Sequence, residues 1–299
     1  MSISTAPDTS VSPVSTTAVR PVGLFRRLVS QPVTAVSLGV VAVLIFIAVF
    51  GNALAPYPQH IAGGVNTADR FLPPSWQHLF GTNELGQDVF SLVLGGASTS
   101  LTLAVVIIFA SALIGTIVGA ISGFFGRWLD EVLMRFTDLM LTIPSLILAM
   151  AVAAALGPGM LNVALAITLA TWPGYARLVR GQVQAARSDV YVEAAEVLGA
   201  NWFRVLLRHI MPNVAPVIIV KMSLEMSFAI ITVASLGFIG IGVAPPLPEW
   251  GSMLSSARGY MPVYWWIAVF PGLAIMIAVF AFNLVGDGLR EALDPRSTR

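Results

Sequence analysis

The chain has no cysteine and one lysine, and only 10% of its 299 residues are charged. Without cysteine there is no disulfide framework and no thiolate metal site. The single lysine, Lys221, sits in VIIVKMSLE. A phosphate-binding Walker A loop needs Gly-Lys-Ser/Thr, because its lysine reaches the nucleotide phosphates. The chain therefore carries no P-loop, and any ATP that drives it must be hydrolysed by another subunit. The three histidines, His60, His78 and His209, stand far apart in sequence and offer no ligand-spaced pair. A net charge of +1 gives no reason to expect nucleic acid as a partner. Ordinary globular domains are about a quarter charged. This deficit, with 57% hydrophobic residues and a mean hydropathy of +0.84, indicates a membrane protein.

The apolar sequence falls into runs. Residues 1–20, rich in Ser, Thr, Pro and Val, lack apolar periodicity and read as a disordered tail. Arg26 and Arg27 precede an uncharged run over 33–54, long enough to cross a bilayer, which takes roughly 20 residues. Ala53-Leu54-Ala55 resembles a signal-peptide cleavage site, but the run exceeds a signal h-region and Pro56 follows at once. A retained span is the better reading. Five more spans are expected near 99–123, 136–157, 160–178, 213–240 and 265–285, giving an all-α polytopic membrane protein with six transmembrane helices.

Arginine orients it. Arg20, Arg26, Arg27, Arg127, Arg135, Arg177, Arg180, Arg187, Arg204, Arg208, Arg290, Arg296 and Arg299 fall on one side of such a topology, and Arg70 and Arg258 on the other. The positive-inside rule then puts both termini and the 177–212 loop in the cytoplasm. On the opposite side, residues 55–98 are Pro/Gly-rich before turning amphipathic. Residues 241–264 hold three prolines followed by Trp250, Tyr260 and Tyr264, with Trp265 and Trp266 just beyond. These aromatics suit an interfacial belt.

The polar interlude VEAAEVLGANWFRVLLRHIMPN interrupts this pattern. Asp189 can cap a short helix, Gly199 fits a left-handed C′ position, and Asn201 can cap a second helix. On that helix Phe203, Leu206, Leu207 and Ile210 share one face at i, i+3, i+4, i+7, with Arg204 and Arg208 elsewhere. Pro212 suits the first turn of the next span. The result is a helix–turn–helix elbow. It could rest on lipid as an amphipathic helix or seat in a partner's groove. The small Ala194 and Ala195 favour the partner.

Deeper in that span Lys221 lies about 13 Å along the helix from Pro212, with Glu225 on the same face. An ionisable pair at that depth is a candidate for the translocation path or a subunit interface, or a mutually neutralised structural pair facing the bundle. Asp138, Thr142 and Ser145, at i, i+4, i+7 on the third span, could line a path or hydrogen-bond between helices. Asp287 and Arg290 read as a helix-end contact.

Glu193-Ala194-Ala195, three residues, Gly199, twelve residues and Pro212 resemble the EAA loop of ABC-importer membrane subunits. His209 stands where that family often has isoleucine. FGTNELGQDVFSLVLGGASTSL (80–101), SLGFIGIGVAPPLPEWGSML (235–254) and the 265–296 segment ending DGLREALDPR are similar to the C-type permease of the dipeptide/oligopeptide/nickel family.

The resemblance covers roughly 24–296. It implies a type I ABC-importer permease core plus one N-terminal helix in a bacterial cytoplasmic membrane. It implies a cytoplasmic tail over 1–23, a first helix and outer loop over 24–98, a five-helix core over 99–287 with the coupling loop at 189–212, and a tail over 288–299. Expected partners are a B-type permease, two ATPase subunits and an extracytoplasmic solute-binding protein. ATP and Mg would be bound by the ATPases, with no cofactor in this chain. Glu193, Ala194, Ala195, Gly199, Arg204 and Pro212 would carry the coupling. The solute would be a di- or oligopeptide, or else a nickel chelate or a glutathione-like molecule. An ion-coupled carrier using Lys221 and Glu225, and a membrane enzyme, are the rival readings. The first lacks further intramembrane acids beyond Asp138, and the second lacks a clustered catalytic constellation.

Overall fold

The computed structural model describes Leu28 and residues 31–293. The expected tail over 1–23, and the last residues of the expected C-terminal tail, lie outside the described residues. Within them the chain is all-helical, with no strand. The helices are α1 (Pro32–Leu54), α2 (Pro58–Ile61), α3 (Val89–Phe125), α4 (Arg127–Thr142), α5 (Ser145–Leu156), α6 (Met160–Arg187), α7 (Val190–Val197), α8 (Trp202–Arg204), α9 (Met211–Ile239), α10 (Trp250–Ala257) and α11 (Trp266–Leu293). A π-helical turn, Val205–Ile210, joins α8 to α9.

Four helical stretches are long and apolar enough to cross a membrane, or five if α4 and α5 count as one broken span. The fourth expected span, 160–178, corresponds to α6. It has 28 residues, but with Asn162, Thr168, Thr171 and its arginines it is not among those four or five. The third expected span is not one rod. Pro144 ends α4 at Thr142, and α5 leaves at 88°. Proline cannot continue an i→i−4 ladder and pushes its predecessor, here Ile143, into extended backbone. The 124–135 segment, expected as a loop, is mostly the start of α4. The expected 98/99 boundary falls inside α3, which starts ten residues earlier.

α3 is the spine. At 37 residues it is about 55 Å long, against a hydrocarbon core of about 30 Å, so it projects beyond the bilayer. It meets α6 along Gly115, Gly119 and Gly123. A Cβ at Gly115 would lie 2.4 Å from Tyr175 Cβ, at Gly119 2.4 Å from Ala176 O, and at Gly123 2.7 Å from Arg180 O. Three glycines spaced by four form one groove, and backbone-close packing through small residues is how helices associate where lipid is as apolar as leucine. Residues of α1, α3, α9 and α11 make one buried cluster around Leu101, Ala104, Ile230 and Ala278, and α3, α5, α6 and α9 make a second around Ile107, Ile167 and Leu236.

Candidate functional site

The elbow forms where the sequence places it. Gly199 has φ +79°, in the left-handed region, and a Cβ there would meet nothing within 4 Å. Glycine is required by backbone conformation, not by crowding within the chain. Gly199 N–H donates to Glu196 O, and Ala200 N–H to Ala195 O, closing α7. Asn201 caps α8 by accepting from Arg204 N–H at 2.8 Å. Asp189 occupies the N-cap position of α7 but makes no side-chain cap bond.

The second arm differs from the sequence expectation. Leu206 and Ile210 are buried as expected, but Phe203 and Leu207 are exposed and Val205 is buried instead. The physical reason is the π-turn. Its i→i+5 bonds widen each turn, so Val205 and Ile210, five apart, come to one face. With Val192 of α7 they pack on Phe124, Val179 and Val183 at the ends of α3 and α6. Asn213 Nδ2 donates to Tyr191 Oη at 2.8 Å and to His209 O at 3.1 Å, fixing α7 to the start of α9. His209 Nδ1 lies 3.3 Å from Arg204 O. Pro212 sits in the first turn of α9.

The outward side of the elbow is apolar. Val190 is 81% exposed, Val197 82% and Leu198 87%, beside exposed Glu193, Ala194 and Arg204. Charge alone would have marked Glu193 and Arg204. The exposed aliphatic patch was not legible, because only the fold shows which of several valines and leucines Val192, Val205 and Leu206 leave uncovered.

Lys221 and Glu225 bond at 2.5 Å, each about a quarter exposed. Lys221 Nζ stands 5.0 Å over the Tyr175 ring of α6, a cation–π contact that supplies the third partner. The pair thus faces α6 at the edge of an open α9 face that also carries exposed Phe228 and Ile231. The break at Pro144 puts Ser145 on α5, apart from Asp138 and Thr142, which stay four residues apart on α4. Asp138 pairs with Arg177 of α6 at 2.5 Å, both more than half exposed, and Thr142 donates to Leu139 O. Asp287 and Arg290 form no ion pair with each other among the described residues.

The far end of the bundle holds a polar cluster that sequence spacing concealed. His60 and His78, eighteen residues apart, converge on Asp88. Asp88 N–H donates to His60 Nδ1 at 2.9 Å, and His78 Nδ1 meets Asp88 Oδ1 at 3.0 Å. Asp88 Oδ2 accepts from Ser91 N–H and Oγ–H, capping α3. Tyr57 stacks on both imidazoles. Burial pushes His60 below its ordinary value, against the nearby Asp88 carboxylate; His78 adds to the lowering and Asp69 opposes it.

Glu249 caps α10 through Gly251 and Ser252 N–H. Burial pushes its carboxyl up, although these hydrogen bonds oppose the shift. Trp250 and Trp266, expected in an interfacial belt, are buried anchors whose indole N–H groups donate to Val93 O and Thr82 O. No group of three or more metal-ligating side chains occurs among the described residues.

Residues 115–299 match the family described as binding-protein-dependent transport system inner membrane component. That match spans more than half the chain. The chain belongs to this family. Residues 23–74 match the N-terminal transmembrane domain of oligopeptide transport permease C. Over 288 residues the chain is 40% identical to the probable D,D-dipeptide transport system permease protein DdpC of Escherichia coli K12, covering 96% of each. It is 41% identical over 273 residues to the glutathione transport system permease protein GsiD of Pectobacterium atrosepticum, covering 91% of this chain and 90% of that one. The all-α permease fold and the role as a peptide-type ABC-importer permease subunit of the inner membrane follow from this membership.

Proposed function

We propose that this subunit imports a dipeptide or short oligopeptide by alternating access, driven by a separate ATPase that docks on residues 189–212. The observation that carries this reading is the aliphatic patch Val190, Val197 and Leu198 around the Gly199 turn. Exposed contiguous apolar surface rimmed by charge marks a protein partner, and helix-in-groove binding suits a short amphipathic elbow. Arginine asymmetry supports cytoplasmic termini and a cytoplasmic elbow. In this reading Glu193, Ala194, Ala195, Gly199, Arg204 and Pro212 form the coupling surface. ATP and Mg reside in two ATPase subunits. A B-type permease faces the open side of α9, where Lys221 and Glu225 line the path or the interface, and Asp138, paired with Arg177, is a further candidate for either. A solute-binding protein delivers cargo to the opposite face. The functional division is a tail over 1–23, the first helix and outer loop over 24–98, a core over 99–287 and a C-terminal tail over 288–299.

Differential docking, tighter in one state of the ATPase dimer than in the other, is what shifts the permease between inward- and outward-facing forms. The similarity to GsiD favours a glutathione-like solute as the second reading. The test is reconstitution of the complete transporter in vesicles, with the binding protein loaded with alanyl-alanine or with glutathione. ATP-dependent uptake of one of them is expected. Uptake that follows an ion gradient and ignores ATP would overturn the proposal.

A further inference from the structure

The end of the bundle opposite the elbow contains a cavity of about 390 Å³. Its walls come from three separate pieces of chain: the 83–89 turn, the Gly237–Val243 end of α9, and the proline-rich segment 245–248 leading to Ser252 of α10. The first wall is rigid. Asn83 Oδ1 accepts from Leu85 and Gln87 N–H, its Nδ2 donates to Gln87 Oε1, and Gln87 Nε2 donates to Gly64 O. Gly86, held at φ +72°, closes the turn.

Asn83 and Gln87 are therefore satisfied. Glu84, between them, is not. Its Oε2 is buried and has no hydrogen-bond partner, and Glu84 enters no ion pair among the described residues. A carboxylate oxygen taken from water without a donor is an unfavourable arrangement, and buried polar groups are otherwise almost always bonded. A further wall is the C-terminal end of α9, where helix carbonyls carry partial negative charge, although Arg258 already holds Phe238 O. The chemistry that completes such a site is a cationic N–H donor. Ligand cavities run from about 300 to 1,000 Å³, so the occupant is a small molecule or one end of a longer one.

We infer that this cavity receives the ammonium group of the imported solute, with Glu84 as its counter-ion, before the solute enters the membrane path. The inference rests on the proposed peptide import. Peptide α-amino groups ionise near pH 7.7–8.0, so at neutral pH they are largely protonated. A lysine of the solute-binding protein could offer the same group, and the test separates the two sources.

The complete transporter in vesicles is treated with a carbodiimide, and N-acylurea formation at Glu84 is followed by mass spectrometry. Alanyl-alanine at ten times its half-saturating concentration is expected to slow modification about tenfold, the unoccupied fraction at that excess. N-acetyl-alanyl-alanine, which lacks the ammonium, is expected to leave it unchanged. Equal protection by both peptides, or by neither, overturns the site. Protection by the solute-free binding protein alone overturns the solute as the source. Glu84→Gln should raise the half-saturating concentration for alanyl-alanine uptake about tenfold, equivalent to about 1.4 kcal/mol, with Glu84→Asp recovering part of it. An unchanged value in Glu84→Gln counts against the site. ATP-driven uptake by the unmodified transporter tests the functional reading separately. Its presence without protection sinks only the Glu84 site, and its absence sinks the import reading.

Discussion

The two ends of the helix bundle treat polarity in opposite ways. At the far end, Asp88, His60, His78 and Glu249 are buried and hydrogen-bonded to one another or to backbone N–H groups. At the elbow, aliphatic side chains of α7 stand in the open while the chain folds around a single left-handed glycine. The far end satisfies itself from within the chain. The elbow leaves apolar surface uncovered, and the proposed docking role rests on that. Glu84 is the exception at the far end, a buried oxygen that the local network leaves unpaired.

Substitutions can break this comparison. The largest effect on the fold is expected from Asp88→Ala. It removes the cap of α3 and strands the Ser91 and His78 donors, a loss of about 3 kcal/mol. Thermal unfolding of the detergent-solubilised subunit checks it, and an unchanged midpoint would mean the far-end network is not what holds those loops. Gly199→Val comes next. A β-branched residue at φ +79° costs about 2 kcal/mol of local strain, expected as lost binding-protein-stimulated ATPase activity with the subunit still inserted. Gly199→Asn, which tolerates that backbone, should retain most of it. Normal stimulation in Gly199→Val would remove the coupling role.

Smaller effects sharpen the contrast. Val197→Ser with Leu198→Ser should leave subunit stability within about 0.5 kcal/mol, as for exposed positions. The same pair should weaken ATPase association by about 1–2 kcal/mol, measured by titration of the ATPase onto the permease. An opposite pattern, with stability lost and affinity kept, would contradict the docking assignment.

Acidity should act on the far end through His60. His60 is held below its ordinary value by burial, so the unfolded loop takes up a proton first as the pH falls. Its contribution is present above about pH 6.5 and is lost as the pH drops below that, by about 1 kcal/mol per unit until the folded value is reached. Hydrogen-exchange protection over residues 57–91, corrected for the intrinsic pH dependence of amide exchange, should fall on acidification.

Sequence alone determined what depends on neighbouring residues: the all-helical class, most of the apolar runs, the Gly199 turn, the Asn201 cap and the first-turn position of Pro212. Turns and caps are local because a backbone conformation and a side chain three residues away decide them. Pro144 was equally local, yet its break was hidden by the apolar continuity around it. The tertiary structure decided the rest. It brought His60 to His78 across a loop, laid Gly115, Gly119 and Gly123 against α6, stacked Lys221 on Tyr175, and turned Val205 inward through a π-turn. Each is a contact between segments whose approach is fixed by packing, and packing is set by which surfaces remain once every helix has buried its own face.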